Sequence, residues 1–422
     1  MNSKRIVIML LSSTLFILFV LLVTLNSSLN FFNFFKIFAF NREKEVRAVW
    51  IATVHNLDWP KTRGIDQQKK EMKKNLDLLK SVGINRVYFQ VRCRSDAMYD
   101  SKMFPWSQWL AGEIGVNPGY DPLLFMKDEC SKRNIDLEAW VNPFLLKLGK
   151  DFDINKYIST LPDSNPLKFH PEWIIKCNDN DWFMLNPGIP EVRELVINEI
   201  AYIVEKYELD IHVDDYFYPY PPHDGAVYFS FVDDKNEYEF YGNGLSVEDF
   251  RRENLNKFVE ELHKVIKNIN PKISFSISPF SIWKNSVKDG GCGTKGMESY
   301  NKIFTDTVKW VKNGWVDSIV PQIYWHIGFE NADYKSLVTW WDKIIEGTNV
   351  ELIIGQAGYK LDPNSKIEPF RSSDEILKQI NVNRKLKNVK GNSIFSLRCI
   401  KNNVLDIRDK LKCSYDKFSL IL

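Results

Sequence analysis

From residue 45 onward, short β-branched and aromatic runs alternate with longer stretches whose apolar positions recur every three or four residues. These two periods separate strands from amphipathic helices. Strands are predicted at 45–53 (EVRAVWIAT), 85–92 (NRVYFQVR), 136–143 (DLEAWVNP), 210–216 (DIHVDDY), 272–280 (KISFSISPF), 316–325 (VDSIVPQIYW), 351–360 (ELIIGQAGYK) and 391–397 (GNSIFSL). Helical patterns fall at about 66–82, 121–133, 191–207, 248–269, 300–312, 333–345, 372–387 and 400–412. Pro190 before Glu191 suits a first turn, where the missing N–H is not needed. Ser246 precedes Glu248 and Asp249, acids that favour the exposed N–H groups of a helix start. Strand–helix pairs in this series predict an α/β fold, a (β/α)8 TIM barrel over residues 45–415.

In such a barrel the chemistry sits where strands end and βα loops begin. The segments 93–120, 144–190, 217–247 and 281–299 follow strands two to five, open on that face, and read as walls of a substrate cleft. Asp289-Gly290-Gly291-Cys292-Gly293 reads as a solvated turn, with a mobile lid as the alternative.

The first 44 residues have another pattern. Ile6 to Leu25 is apolar except for Ser12, Ser13, Thr14 and Thr24, and directly follows Lys4 and Arg5. Roughly 20 apolar residues span a ~30 Å hydrocarbon layer, whereas a cleaved signal peptide has about 7 to 15 and a small-x-small site. Only Asn26-Ser27-Ser28 follows, which favours an uncleaved N-terminal membrane-targeting helix over a signal peptide that would release a secreted protein. The basic flank then keeps the N-terminus cytoplasmic and everything after residue 25 outside. Residues 26–44, with Phe at 31, 32, 34, 35, 38 and 40, read as a linker or an interfacial segment.

Composition narrows the chemistry. Lys+Arg 56 against Asp+Glu 54 leaves +2, no surplus for a polyanion, so nucleic acid is not an expected partner. Thirteen Trp exceed what a core usually uses, so some rings are expected to face a ligand. The six Cys form no C-x-x-C pair and read as mostly free, buried thiols. With no G-x-S-x-G, H-E-x-x-H or strand-linked G-x-G-x-x-G, neither a cofactor nor a metal is expected. Asp233, Asp234 and Glu237 read as a solvated acidic turn, with calcium binding as the alternative.

Polar groups crowd the predicted strand ends: Arg92, Arg94 and Asp96; Trp140 and Asn142; His212, Asp214 and Asp215; Ser278; Gln322, Tyr324 and Trp325; Gln356 and Tyr359. The sharpest run is Asp210-Ile211-His212-Val213-Asp214-Asp215-Tyr216. Alternation points His212 and Asp214 into the barrel and leaves Asp215 at the rim. Adjacent carboxylates repel, so one is held protonated and serves as an acid, unless both are structural acids paired with Arg92 or Arg94. Arg92 is a fixed cation for a substrate oxygen or one half of a salt bridge, and His212 alone reads more readily as a satisfied core histidine than as a base. Asn142, Gln322 and Tyr324 set hydrogen-bonding groups beside aromatic faces, a pairing that suits sugar rings. Trp59, Trp106, Trp109, Trp182, Trp283 and Trp325 are subsite candidates, with core packing as the alternative for each.

These motifs occur as an ordered set. Val46-Arg47-Ala48-Val49-Trp50-Ile51-Ala52-Thr53 with Asn56-Leu57-Asp58-Trp59-Pro60, Phe89-Gln90-Val91-Arg92 and Ala139-Trp140-Val141-Asn142-Pro143 open it. His212 to Pro219, Ile277 to Trp283 and Pro321-Gln322-Ile323-Tyr324-Trp325 complete it. The set resembles the glycosyl hydrolase-like family 10 proteins. The resemblance implies a TIM-barrel glycoside hydrolase acting outside the cytoplasm, with peptidoglycan strands stripped of peptides as the substrate of one branch. The family's usual Pro after Arg92 is here Cys93, and its Trp before the double Arg is Phe250. Asp214, Asp215, Arg92, Asn142, Gln322 and Tyr324 match.

Most glycosidases place two carboxylates ~5–5.5 Å or ~6.5–9.5 Å apart, while some that act on N-acetylated sugars use the substrate's acetamide as nucleophile. Adjacent acids fit the second plan. Asp215-Tyr216-Phe217-Tyr218-Pro219 also resembles the D-W-E-Y-P segment of family 18 chitinases, with Phe217 where their acid Glu stands, which makes Asp214 or Asp96 the proton-donor candidates. The expected catalytic set is Asp214, Asp215 and Asp96. The expected substrate contacts are Arg92, Trp140, Asn142, His212, Tyr216, Trp283, Gln322, Tyr324 and Trp325. The alternatives are a non-catalytic wall-glycan-binding protein and a hydrolase of another extracellular polysaccharide.

Overall fold

β1 (Val46–Ile51), β2 (Arg86–Arg92), β3 (Asp136–Val141), β4 (Asp210–Asp214), β5 (Phe275–Ser278), β6 (Ser318–Ile319, resuming at Gln322–Ile323), β7 (Glu351–Gln356) and β8 (Val389–Ile394) pair in parallel, each with the next. β8 returns to β1, with Val46 opposite Gly391, and closes the barrel. A Cβ at Gly391 would lie 2.0 Å from the Val46 carbonyl oxygen, so this seam requires glycine. The computed structural model describes residues 45–148, 152–177, 182–220 and 232–421. The membrane-targeting segment read at 6–25 and the linker at 26–44 lie outside these residues, and among the described residues no helix is long and apolar enough to cross a membrane.

Helices α1 (Ile65–Val82), α2 (Pro122–Ser131), α3 (Pro190–Tyr207), α4 (Val247–Ile269), α5 (Thr307–Lys312), α6 (Tyr334–Ile345), α7 (Asp374–Asn383) and α8 (Ile407–Ile421) follow the strands in turn. Their caps explain the boundaries: the Ser246 hydroxyl accepts the Asp249 N–H at 3.1 Å, and Asp121 accepts that of Leu124 at 3.0 Å. Alternate residues of β1 divide the core. Val46, Ala48, Trp50 and Ala52 join Tyr88, Trp140, Val320 and Ile353 in one cluster, while Val49 and Ile51 belong to the larger cluster that takes in the helices.

The strands are shorter than the sequence pattern predicts. β4 stops at Asp214, β5 at Ser278 and β7 at Gln356, so the polar residues beyond them belong to loops. β6 breaks at Val320-Pro321 because proline has no N–H for the ladder, and the helix predicted at 300–312 divides into Ser299–Lys302 and α5. The loop after β3 carries its own antiparallel sheet, Leu145–Leu148, Trp182–Leu185 and Ile174–Cys177. The glycine-rich run is a tight turn in which the Gly290 carbonyl accepts the Trp340 indole N–H at 3.0 Å. Asp234 is no solvated acid: it is buried and takes two hydrogen bonds, 2.7 and 2.5 Å, from Arg251.

Candidate active site

The barrel interior holds a directed chain of polar groups. The Trp50 indole N–H donates to His212 Nε2 at 3.1 Å, which makes that nitrogen an acceptor and leaves the proton on Nδ1. Nδ1 lies 2.7 Å from the Ser276 hydroxyl, which donates to Glu138 at 2.5 Å, and Arg86 lies 3.3 Å from the other Glu138 oxygen. Burial, then the Arg86 charge, holds His212 well below the usual imidazole value, so the ring is neutral, while burial raises the Glu138 carboxyl to about 8. The His212 ring stacks on Tyr88 with centroids 4.0 Å apart. This is a fixed floor.

Above it, β4 ends in the acids. Asp214 Oδ1 accepts the Asp215 backbone N–H at 2.8 Å, the Gln322 amide at 2.9 Å and the Ser278 hydroxyl at 3.3 Å. The Asp215 carboxyl accepts the Tyr220 hydroxyl and lies close enough to Asp214 to feel its charge. Burial raises both carboxyls, and Asp215 goes furthest because the Asp214 charge adds to its burial. The pair therefore titrates together, with the proton favoured on Asp215 and the negative charge on the better-donated Asp214. Both line a cavity of about 360 Å³ that is walled by the rings of Trp50, Trp140, Tyr216 and Tyr324. Among the described residues lining it, these two are the only carboxylates.

Residues 45–373 match the model of the family described as Glycosyl hydrolase-like 10. The chain belongs to this family. It is 39% identical over 387 residues to Glycosyl hydrolase YngK of Bacillus subtilis (strain 168), covering 90% of this chain and 73% of that relative. It is 36% identical over 370 residues to Glycosyl hydrolase DigH of Escherichia coli (strain K12), covering 83% and 82%. Membership makes this family 10-like protein a glycoside hydrolase. A solved β-1,4-D-mannanase from Cryptopygus antarcticus is 13% identical with a TM-score of 0.47, covering 88% and 91%, a likeness too loose to inform the site.

In this member of the family, Asp214, Asp215, Trp140, Asn142, Tyr216, Gln322 and Tyr324, all expected site residues, line the one cavity. Asn142 is held in place, accepting the Trp140 indole N–H at 3.0 Å and donating to the Cys93 carbonyl at 3.0 Å. Five expected residues lie elsewhere. Arg92 is fully buried over the Phe104 ring and donates to the Asn142 and Pro143 carbonyls and the Ser95 hydroxyl, so it clamps two loops instead of meeting substrate. Asp96 accepts the Arg94 and Cys93 N–H groups at 2.9 and 3.3 Å; it shapes a turn and does not line the cavity as a proton donor would. His212 lies in the floor behind Trp50. Trp283 donates to Asp306 at 3.1 Å and stacks on Trp340, and Trp325 packs edge-on against Phe280; neither lines the cavity. Trp59 is core, its N–H on the Gln68 carbonyl.

Trp50, His55, Tyr220 and Phe395 line the cavity without having been singled out. Period-two alternation along β1 was a signal for Trp50, since it places Ala48, Trp50 and Ala52 on one side. Nothing local marks Tyr220 or Phe395. The motif residue Asp58 has a supporting part: it accepts from Ala52 and Arg398 N–H groups, both at 2.8 Å, and from Ser396 at 2.9 Å, binding the loops after β1 and β8 together.

Proposed function

We propose that this enzyme hydrolyses peptidoglycan glycan strands stripped of their peptides, outside the cytoplasm, with Asp214 and Asp215 as its catalytic pair and the segment at 6–25 as its membrane attachment. The observation that carries the mechanism is that the two acids lining the cavity are chain neighbours at the end of one strand, with Asp214 Oδ1 on the Asp215 N–H. On this reading they act from one side of the glycosidic bond instead of flanking it at ~5–5.5 Å or ~6.5–9.5 Å, and the nucleophile comes from the substrate. Protonated Asp215 gives its proton to the leaving oxygen. The 2-acetamido carbonyl oxygen attacks the anomeric carbon from the other face, and Asp214 holds the acetamide N–H and balances the positive charge that develops on the ring formed. Tyr324 donates its hydroxyl to the acetamide oxygen, and Asp215, now a carboxylate, removes a proton from the water that opens the intermediate. The anomeric configuration is retained. The extracytoplasmic placement rests on Lys4, Arg5 and the apolar run behind them.

The test incubates full-length protein with purified peptide-free strands, intact or de-N-acetylated, and identifies products by mass spectrometry. Short reducing sugars are expected from wild type on intact strands alone, and none from Asp214→Asn or Asp215→Asn. Normal turnover by Asp215→Asn, or equal cleavage of de-N-acetylated strands, refutes the mechanism.

A further inference from the structure

Two residues beyond the Arg92 clamp, Arg94 is 7% exposed and lines the same cavity. No carboxylate lies within ion-pair distance of it among the described residues. Its Nη2 meets His55 Nε2 at 2.7 Å, and its Nε is sealed from solvent without a partner. Burying a guanidinium against a neutral ring and no acid is unfavourable unless something else supplies the negative charge.

The neighbourhood is built to keep this cation open. His55 and Asn56 both have φ of 52°, a left-handed backbone that side chains with a Cβ adopt only under constraint. Asn56 fixes that turn by donating to the Trp109 carbonyl at 2.8 Å, and the His55 ring packs on Trp109 with centroids 4.8 Å apart. Because Arg94 can only donate, His55 Nε2 accepts, and the imidazole proton remains on Nδ1 as a further donor. Burial, Arg94 and Lys147 all hold His55 below its usual value, so the ring stays neutral beside the guanidinium. On the far side of His55, a hollow of about 320 Å³ includes Lys61 and Arg63 and no acid. The Arg63 guanidinium lies so close to Gly112 that a Cβ there would come within 2.8 Å of it. The cavity thus holds the acids of β4, while the neighbouring hollow that shares His55 holds cations.

We propose that Arg94, with His55, is the binding site for a carboxylate carried by a sugar of the substrate, and that it selects acidic glycans over neutral ones. The planar fork of guanidinium N–H groups matches a carboxylate, and the pairing supplies the charge that Arg94 lacks. Given the glycan proposed above, on which this assignment of the ligand rests, the carboxylate is the lactyl ether acid freed when the peptide is removed. A uronic acid offers the same chemistry.

The test reads binding, not cleavage. Full-length wild type is titrated with N-acetylmuramic acid and with N-acetylglucosamine, which lacks only the lactyl acid; a second arm compares glucuronic acid with glucose. Wild type is expected to prefer N-acetylmuramic acid by about 10- to 100-fold. Arg94→Gln should bind acidic and neutral sugars alike, and Arg94→Lys should keep part of the preference. Preference in the glucuronic acid arm alone supports the carboxylate site and assigns it to a uronic acid. Equal affinity of wild type for acidic and neutral sugars, or no saturable binding of either acid, overturns the proposal without any need for a folded variant. So does an Arg94→Gln protein that weakens both classes equally. Acid binding through Arg94 without strand cleavage leaves the site standing and removes the peptidoglycan reading; cleavage without acid preference does the reverse.

Discussion

The floor and the mouth of the barrel both bury polar side chains, and they use them in opposite ways. In the floor each donor from Trp50 through His212 and Ser276 to Glu138 points at the next acceptor, and Arg86 closes the chain. In the mouth, two neighbouring carboxyls are both raised by burial, and a buried guanidinium meets a neutral imidazole and the Trp109 ring but no acid among the described residues. A satisfied network fixes a shape, whereas an unsatisfied one is held ready for something that arrives later. Arg92 and Arg94 make the contrast within three residues: the first donates to two carbonyls and a hydroxyl away from the cavity, and the second lines the cavity with one imidazole as its side-chain hydrogen-bond partner.

The largest predicted effect lies in the mouth. Asp215→Asn is expected to lower kcat on peptide-free strands by about 10²- to 10⁴-fold with the melting temperature nearly unchanged, since the amide keeps the shape and neutrality of the protonated carboxyl but has no acidic proton to give. A parallel fall in melting temperature would make the pair structural and erase the contrast. Next comes the floor. Glu138→Ala should lose about 3 kcal/mol in denaturant unfolding while the folded protein keeps most of its kcat, because Arg86 loses its nearest buried partner.

The pH profile of kcat/KM sharpens the comparison further. Asp215 must carry its proton, so activity is lost as pH rises through its raised value; Asp214 must be charged, so activity is also lost as pH falls through its own, less raised value. His212→Gln is expected to leave both limbs in place, because the depressed imidazole is neutral throughout that window. A limb that moves in this variant would bring the floor into the reaction. The smallest effect is predicted for Trp283→Ala, whose kcat/KM should match wild type because the ring packs on Trp340 away from the acids. A clear rise in KM would show that the glycan reaches that far.

Much of the fold was legible without coordinates, because period-two and period-3.6 patterns are local consequences of backbone geometry. The barrel strands and the position of the acid pair at the end of β4 follow from that pattern. Boundaries are less legible: the pattern carries β5 to Phe280 and β7 to Lys360, past their ends at Ser278 and Gln356, because Phe280 and Tyr359 continue the aromatic signal into the loops.

By itself the sequence determined the order of strands and helices, the side of β4 on which His212 and Asp214 point, and the residue types available at the mouth. Tertiary structure alone decided which of those types are free to act. It buried His212 beneath Trp50, turned Asp96 onto backbone N–H groups, brought Tyr220 to Asp215, set Arg92 on loop carbonyls and left Arg94 beside His55 in the cavity wall. Chemical type is a property of one residue, but protonation and reactivity depend on which donors, charges and solvent surround it, and those neighbours come from distant parts of the chain.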